Sequence, residues 1–182
     1  MRKRANILVG RFQPITKGHI KCIDRALEEG LPTVLCMIDT ADDKVDERHP
    51  FPSSMILPLY KAILDVEDVV LVRSADIVSI SQALKDYEIA SWTCGTDRVQ
   101  DYERMANRYK TDAGLAEDFH IIEIPRNDSD ISATKAREAL LEGDEREFYK
   151  LFPNMSLRDR LKYDVYNVLR KQIMNAYEKK SH

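Results

Sequence analysis

Residues able to do chemistry concentrate in Gly10-Arg11-Phe12-Gln13-Pro14-Ile15-Thr16-Lys17-Gly18-His19, directly after the apolar segment Ala5 to Val9. A strand that runs through a turn into a polar helix start aims backbone N–H groups and the positive end of a helix dipole at an arriving anion. Gly18 lets a phosphate approach the backbone, and His19 places a titratable donor beside it. The Thr16 hydroxyl can cap the helix and also reach a phosphate. Arg11, immediately after a buried strand, is placed to clamp an anion, whereas Lys17 reads equally well as a solvated side chain.

A second string, Ile131-Ser132-Ala133-Thr134-Lys135-Ala136-Arg137, puts two hydroxyls ahead of an expected helix running through Leu141, with a guanidinium one turn further on. Hydroxyls, free N–H groups and an arginine fork all suit phosphate oxygens. Singly, each residue has a plain structural explanation: His19 satisfied by a neighbour, Ser132 an ordinary N-cap, Arg137 an exposed helix residue. Gly95-Thr96-Asp97-Arg98 follows another apolar segment, and Asp97 can accept from ligand hydroxyls or cap the helix after it. Trp92, in mid-strand, reads as core in preference to stacking on a ligand ring. His49 reads as a loop histidine.

Taken together, Thr16, Gly18 and His19 resemble the Thr/His-x-Gly-His signature of the nucleotidyltransferase superfamily of α/β phosphodiesterases, and Ser132, Thr134 and Arg137 resemble its Ile-Ser-x-Thr-x-x-Arg. The resemblance covers roughly Ala5 to Leu141. It implies that an acceptor phosphate attacks the α-phosphorus of a nucleoside triphosphate and pyrophosphate departs, a reaction accelerated by orientation and electrostatic stabilisation. Under it, His19, Arg137 and Thr16 are catalytic. Gly10, Arg11, Phe12, Gly18, His19, Gly95, Asp97, Ser132, Thr134 and Arg137 hold the nucleotide, and Arg11, Gln13 and Trp92 meet the acceptor. Mg²⁺ comes with ATP, held by phosphates and water, so no carboxylate cage is expected.

Gly10 to Pro14 is similar to the opening of archaeal-type nicotinamide mononucleotide (NMN) adenylyltransferases, and His49-Pro50-Phe51-Pro52 is loosely similar to their Asn-Pro-Phe-Thr. That similarity implies transfer of AMP to NMN, giving NAD. Pro14 to His19 also resembles a string of phosphopantetheine adenylyltransferases, and Gly95 to Arg98 one of cytidylyltransferases, so the acceptor and the choice of ATP or CTP stay open. A non-catalytic nucleotide-binding module is a reading of another class; the joint presence of His19, Ser132, Thr134 and Arg137 argues against it.

Bulk properties agree with a single enzyme domain. The 182 residues can bury a sizeable core. The formal charge of −3 provides no broad basic field, which disfavours nucleic acid and membrane surfaces as partners. The expected partners are ATP and a small phosphate-bearing acceptor, with homo-oligomers left open. No signal peptide or membrane-spanning run is read. Cys22, Cys36 and Cys94 lack metal-ligand spacing and suggest reduced thiols in a cytoplasmic protein.

Those catalytic strings need elements to hold them. Ala5 to Gly10, Thr33 to Ile38, Val69 to Val72, Ile89 to Cys94 and His120 to Ile124 read as short, mostly continuous apolar strands of the kind buried on both faces of a parallel sheet. Lys17 to Glu29, Ser53 to Leu64, Asp76 to Tyr87 and Val99 to Tyr109 read as helices. The alternation predicts an α/β fold with a doubly wound, mostly parallel five-stranded sheet, Rossmann-like, over residues 1–143. Gly10 to His19, Gly95 to Arg98 and Arg126 to Thr134 should meet beyond the carboxyl ends of the strands. Residues 144–182 are expected to form a helical extension packed on the same domain: a short helix from Glu145 to Leu151 and a long one from Leu157 to Lys180. The long helix is expected to bury Leu157, Leu161, Val165, Val168, Leu169 and Ile173. The cluster Asp42, Asp43, Asp46 and Glu47 reads as a solvated loop.

Overall fold

The protein is described by a computed structural model covering residues 1–109, 114–125 and 129–179. It divides into two compact units: Met1–Gly10, Lys21–Asp39 and Leu64–Asn127 form the first, and Arg11–Ile20, Thr40–Ile63 and Asp128–His182 the second.

The first unit is built on five parallel strands, β1 (Lys3–Gly10), β2 (Thr33–Ile38), β3 (Asp68–Val72), β4 (Tyr87–Gly95) and β5 (Leu115–Ile124), ordered β3-β2-β1-β4-β5. This is the doubly wound, Rossmann-like α/β arrangement expected from the sequence. Helix α1 (Lys17–Glu28) follows β1, and α3 (Ile77–Ala83) and α4 (Val99–Tyr109) flank β4. Side chains alternate across the sheet. Ala5, Ile7 and Val9 of β1 join Ile77 and Ile80 of α3 and Tyr102 and Met105 of α4 in one core. Because the winding direction reverses at β1, right-handed crossovers put α1, with its buried Cys22, Ile23 and Ala26, on the opposite face.

On that second face the sheet carries a buried polar cluster. Asn6 Nδ2 donates to Thr33 Oγ1 at 3.0 Å, while the hydroxyls of Ser91 and Thr93 donate to Asn6 Oδ1 at 2.8 and 3.0 Å. A satisfied network of this kind ties β1 to both its neighbours, each bond contributing about 1 kcal/mol net, whereas one deleted partner leaves a buried group unpaired.

Helix α3, strand β5 and the C-terminal helices differ from expectation. Helix α3 stops at Ala83 and β4 begins at Tyr87, which pairs with Lys3; the apolar spacing alone extends the helix across that turn. Strand β5 begins at Leu115 because edge strands tolerate charge: Glu117 and Asp118 are exposed in it, and Asp118 accepts from Arg4 at 2.7 Å.

At the C-terminus there are two helices in place of one, α7 (Leu157–Lys162) and α8 (Val165–Glu178). The Asp164 side chain accepts from Asn167 N–H and so starts a new helix where the pattern suggested continuity. The expected stripe splits with it: Val165, Leu169 and Ile173 are buried, while Leu157 and Leu161 are 73% and 82% exposed and Val168 is exposed as well. Lys180 lies outside the described residues.

The second unit holds α2 (Ser53–Ile63), α5 (Ser129–Glu142), α6 (Glu145–Leu151), α7 and α8. Asp144 caps α6 by accepting from Glu147 N–H at 2.9 Å, and Arg170 of α8 donates to the Leu140 carbonyl of α5 at 3.1 Å. Among the described residues, no helix is long and apolar enough to cross a membrane.

Candidate active site

Leaving β1 at Gly10, the chain enters a turn in which Phe12 has φ +50° and the Gln13–Pro14 peptide is cis. A non-glycine residue in the left-handed region costs on the order of 1–2 kcal/mol, so its surroundings must hold it there. The Tyr60 hydroxyl of α2 donates to the Phe12 carbonyl at 2.6 Å and accepts from the Ile15 N–H at 2.9 Å. Gln13 grips the backbone of Phe51 with both ends of its amide: Nε2 donates to the carbonyl at 2.7 Å and Oε1 accepts from the N–H at 2.9 Å. Gln13, expected to meet the acceptor, therefore commits its amide to this latch and is 5% exposed.

Thr16 and His19 form the next layer. The Thr16 N–H donates to His19 Nδ1 at 3.0 Å, with Thr16 Oγ1 3.1 Å from the same nitrogen. A ring nitrogen that accepts an N–H bears no proton, so the neutral ring carries its proton on Nε2. The Thr16 carbonyl accepts from the N–H groups of His19 and Ile20, opening α1, with Gly18 in its first turn. Phe12 meets the His19 ring edge-on, centroids 5.0 Å apart. Arg11 is exposed and donates to Thr40 Oγ1 at 3.4 Å.

The second string comes to the same turn. Arg137 Nη1 donates to the Gln13 carbonyl at 2.7 Å and Nη2 to Thr134 Oγ1 at 3.3 Å. Burial pulls the Arg137 pKa down, against the opposing effect of Tyr177, Glu138 and Asp46. An arginine stays charged regardless, so a half-buried guanidinium of this kind gains from an incoming anion.

One expectation needs correction: α5 starts at Ser129, so Ser132 and Thr134 lie inside its first two turns and not ahead of it. The N–H groups that a helix leaves free belong to residues before Ser132, which leaves the Ser132 and Thr134 side chains as the groups on offer. Arg126 lies outside the described residues.

Thr16, His19, Arg11, Gln13, Ser132, Thr134 and Arg137 thus belong to one unit, together with Gly18 and Phe12. Gly10, Gly95, Asp97 and Trp92 belong to the sheet unit, where β1 and β4, ending at Gly10 and Gly95, flank the point at which the strand order reverses. Ligands of doubly wound sheets bind at that point. Asp97 is exposed in a 3₁₀ turn, 3.5 Å from Arg98 Nε. Trp92 is fully buried and stacked on Tyr102 at 3.9 Å, and its Nε1 finds no hydrogen-bond partner among the described residues.

Sequence reasoning missed Tyr60 and Gln172, whose Nε2 donates to the Pro50 carbonyl at 3.0 Å. Tyr60 had a usable signal, since a tyrosine on the apolar face of a helix must find a partner for its hydroxyl. Among the described residues, no group of three or more His, Cys, Asp or Glu is arranged to hold a metal ion.

Comparison with known families places residues 7–139 in the cytidylyltransferase-like family, and the chain belongs to that family of nucleotidyltransferases. Comparison with curated proteins finds no match. Among solved structures, the chain is similar to a bifunctional NMN adenylyltransferase/ADP ribose pyrophosphatase from Francisella tularensis, at 18% identity and TM-score 0.59, covering 100% of this chain and 54% of that one. It is also similar to NadR protein in complex with NR, at 17% identity and TM-score 0.57, covering 84% of this chain and 43% of that one. This chain therefore spans about half the length of those proteins, and at such identity the likeness establishes the fold.

Proposed function

We propose that the protein transfers the AMP of ATP to nicotinamide mononucleotide, forming NAD and releasing pyrophosphate. The observation that carries this reading is the 2.7 Å bond from Arg137 to the Gln13 carbonyl, which joins the two nucleotidyltransferase strings in one cluster with His19. An acceptor phosphate oxygen forms a bond to the α-phosphorus of ATP as the bond to the bridging oxygen breaks, and pyrophosphate carries away the electron pair. The attacking group is already an anion, so the protein need supply no base. His19 donates a hydrogen bond from its Nε2–H to an α-phosphoryl oxygen as charge builds there, which fits the tautomer that Thr16 imposes. Thr134 and Arg137, with Ser132, hold the β- and γ-phosphates, and Arg11 clamps the acceptor or triphosphate.

When bound with the nucleotide, a divalent ion, Mg²⁺ in this reading, would screen the charge of the triphosphate. In this reading the ion comes with the nucleotide and water, and no step is routed through it. The F. tularensis fold neighbour has also been described in complex with AMP and a Mn ion, in accord with a divalent cation beside a nucleotide.

The acceptor rests on the Gly10 to Pro14 string; the NMN and NR named for the two fold neighbours accord with it. Transfer from CTP is the second reading, favoured by Gly95 to Arg98. A pyrophosphate-release screen of ATP and CTP against NMN, phosphopantetheine and alcohol-phosphate acceptors, with products separated by chromatography, tests both. NAD formed from ATP and NMN is the expected result; clean turnover of phosphopantetheine, or of a CTP-dependent acceptor, without NAD overturns the NMN reading.

A further inference from the structure

We propose that Tyr60 is a positioning residue for His19, acting through the turn between Phe12 and Ile15. The proposal rests on the reading of His19 as the donor to the α-phosphate. Tyr60 is fully buried, and burial pushes its phenol pKa upward, so the hydroxyl keeps its proton at neutral pH. That hydroxyl donates to the Phe12 carbonyl at 2.6 Å and accepts from the Ile15 N–H at 2.9 Å. It therefore spans the turn from its left-handed residue to the residue just before Thr16.

Both ends of that span lead to His19. At one end the Phe12 ring lies edge-on against the imidazole, 5.0 Å between centroids. At the other, Ile15 is followed by Thr16, whose N–H fixes the ring through Nδ1. A left-handed phenylalanine relaxes toward an ordinary conformation when its carbonyl loses the hydrogen bond from Tyr60, and relaxation would swing its ring away from His19. Donors that stabilise a transition state act by being in place before charge develops, so a small displacement of Nε2 costs rate more than it costs ground-state binding. The Gln13 latch on Phe51 and the bond from Arg137 hold the middle of the turn, whereas the Tyr60 hydroxyl bonds the Phe12 carbonyl itself and the Ile15 N–H.

Tyr60→Phe removes the hydroxyl and keeps the ring. In folded full-length protein we expect kcat to fall by about 10- to 100-fold with the Kd for ATP within about threefold of wild type. We also expect ¹⁵N NMR of the histidine rings to show His19 leaving its single Nε2–H form, a change that general loosening of a core does not bring about. The NMR arm does not depend on turnover, so a protein inactive with every acceptor would sink the nucleotidyl-transfer reading while still deciding the role of Tyr60. A folded Tyr60→Phe protein with wild-type kcat, or with an unchanged His19 signature, overturns the proposal. Should Tyr60→Phe fail to fold, Phe12→Leu tests the same route by NMR alone: an altered His19 signature supports it, and a wild-type signature overturns it.

Discussion

His19 accepts the Thr16 N–H at Nδ1, which puts the proton of the neutral ring on Nε2. Removing a preorganised donor to a developing oxyanion costs about 10²- to 10³-fold in kcat, so His19→Ala should retain its fold and lose at least about 100-fold in kcat, measured by pyrophosphate release. Arg137 is a different kind of residue, since its guanidinium already bonds the protein at Gln13 and Thr134. A charge-assisted hydrogen bond contributes about 1.5–3 kcal/mol, so Arg137→Ala should raise the Kd for ATP by about 10- to 100-fold and leave acceptor affinity less affected, as titration calorimetry would resolve. The reverse pattern would exchange the two sites. Arg11→Lys should lose activity despite keeping its charge, because a planar fork becomes a point charge. Near-wild-type kcat/KM in that variant would make Arg11 a surface residue.

Elements hold these residues through their ends. Asp76 caps α3 by accepting from Ser79 N–H at 2.8 Å and Ser79 Oγ at 2.7 Å, and also from the Ser74 hydroxyl. These bonds, led by that from Ser74, lower its pKa to about 2 from the usual 3.8. A depressed carboxyl pKa means stability fully present above the ordinary value and lost as pH falls from about 4 toward about 2. Because the group is partly exposed, screening keeps its contribution small. Asp76→Asn, which can still cap, should flatten the fall in Tm between about pH 4 and pH 2 while costing at most about 1 kcal/mol at pH 7, both seen by thermal melts across pH. An unaltered pH profile would remove the carboxylate from the acid response. The break before α8 makes a parallel point. Asp164→Ala should cost about 0.5–2 kcal/mol, read as a lower Tm, because the cap is lost where Tyr163 and Asp164 interrupt the helix.

At the scale of the molecule, the sheet and its helices bury all three cysteines. Burial raises the thiol pKa of Cys22 to about 11 and, with help from Asp97 and Glu123, of Cys94 to about 12, and it pushes that of Cys36 up as well. The thiolate is the reactive form. Native protein at pH 8 should therefore react with a thiol reagent at no position on the timescale of minutes, and at all three once denaturant is added. A fast-reacting thiol in native protein would mean that the first unit opens locally.

Much of this protein follows from its sequence alone. Continuous Val- and Ile-rich runs separated by helical spacing dictate parallel strands buried on both faces, and the strands appear where those runs lie, because burial on two faces leaves little choice of residue. The two strings at Thr16 to His19 and Ser132 to Arg137 were legible through their resemblance to nucleotidyltransferase motifs, although Arg137 lies in the third turn of α5 and not at its start. Where α3 ends, how far β5 extends along the sheet edge and where the C-terminal helix breaks were not legible, because strand pairing and capping decide them and apolar spacing does not. Tertiary structure alone revealed that Gln13 belongs to a latch on Phe51, that Arg137 meets the turn of the first string 124 residues away, and that a buried tyrosine supports the strained residue beside His19. Each of those facts is a hydrogen bond between groups remote in sequence, and only folding brings such donors and acceptors within reach of one another.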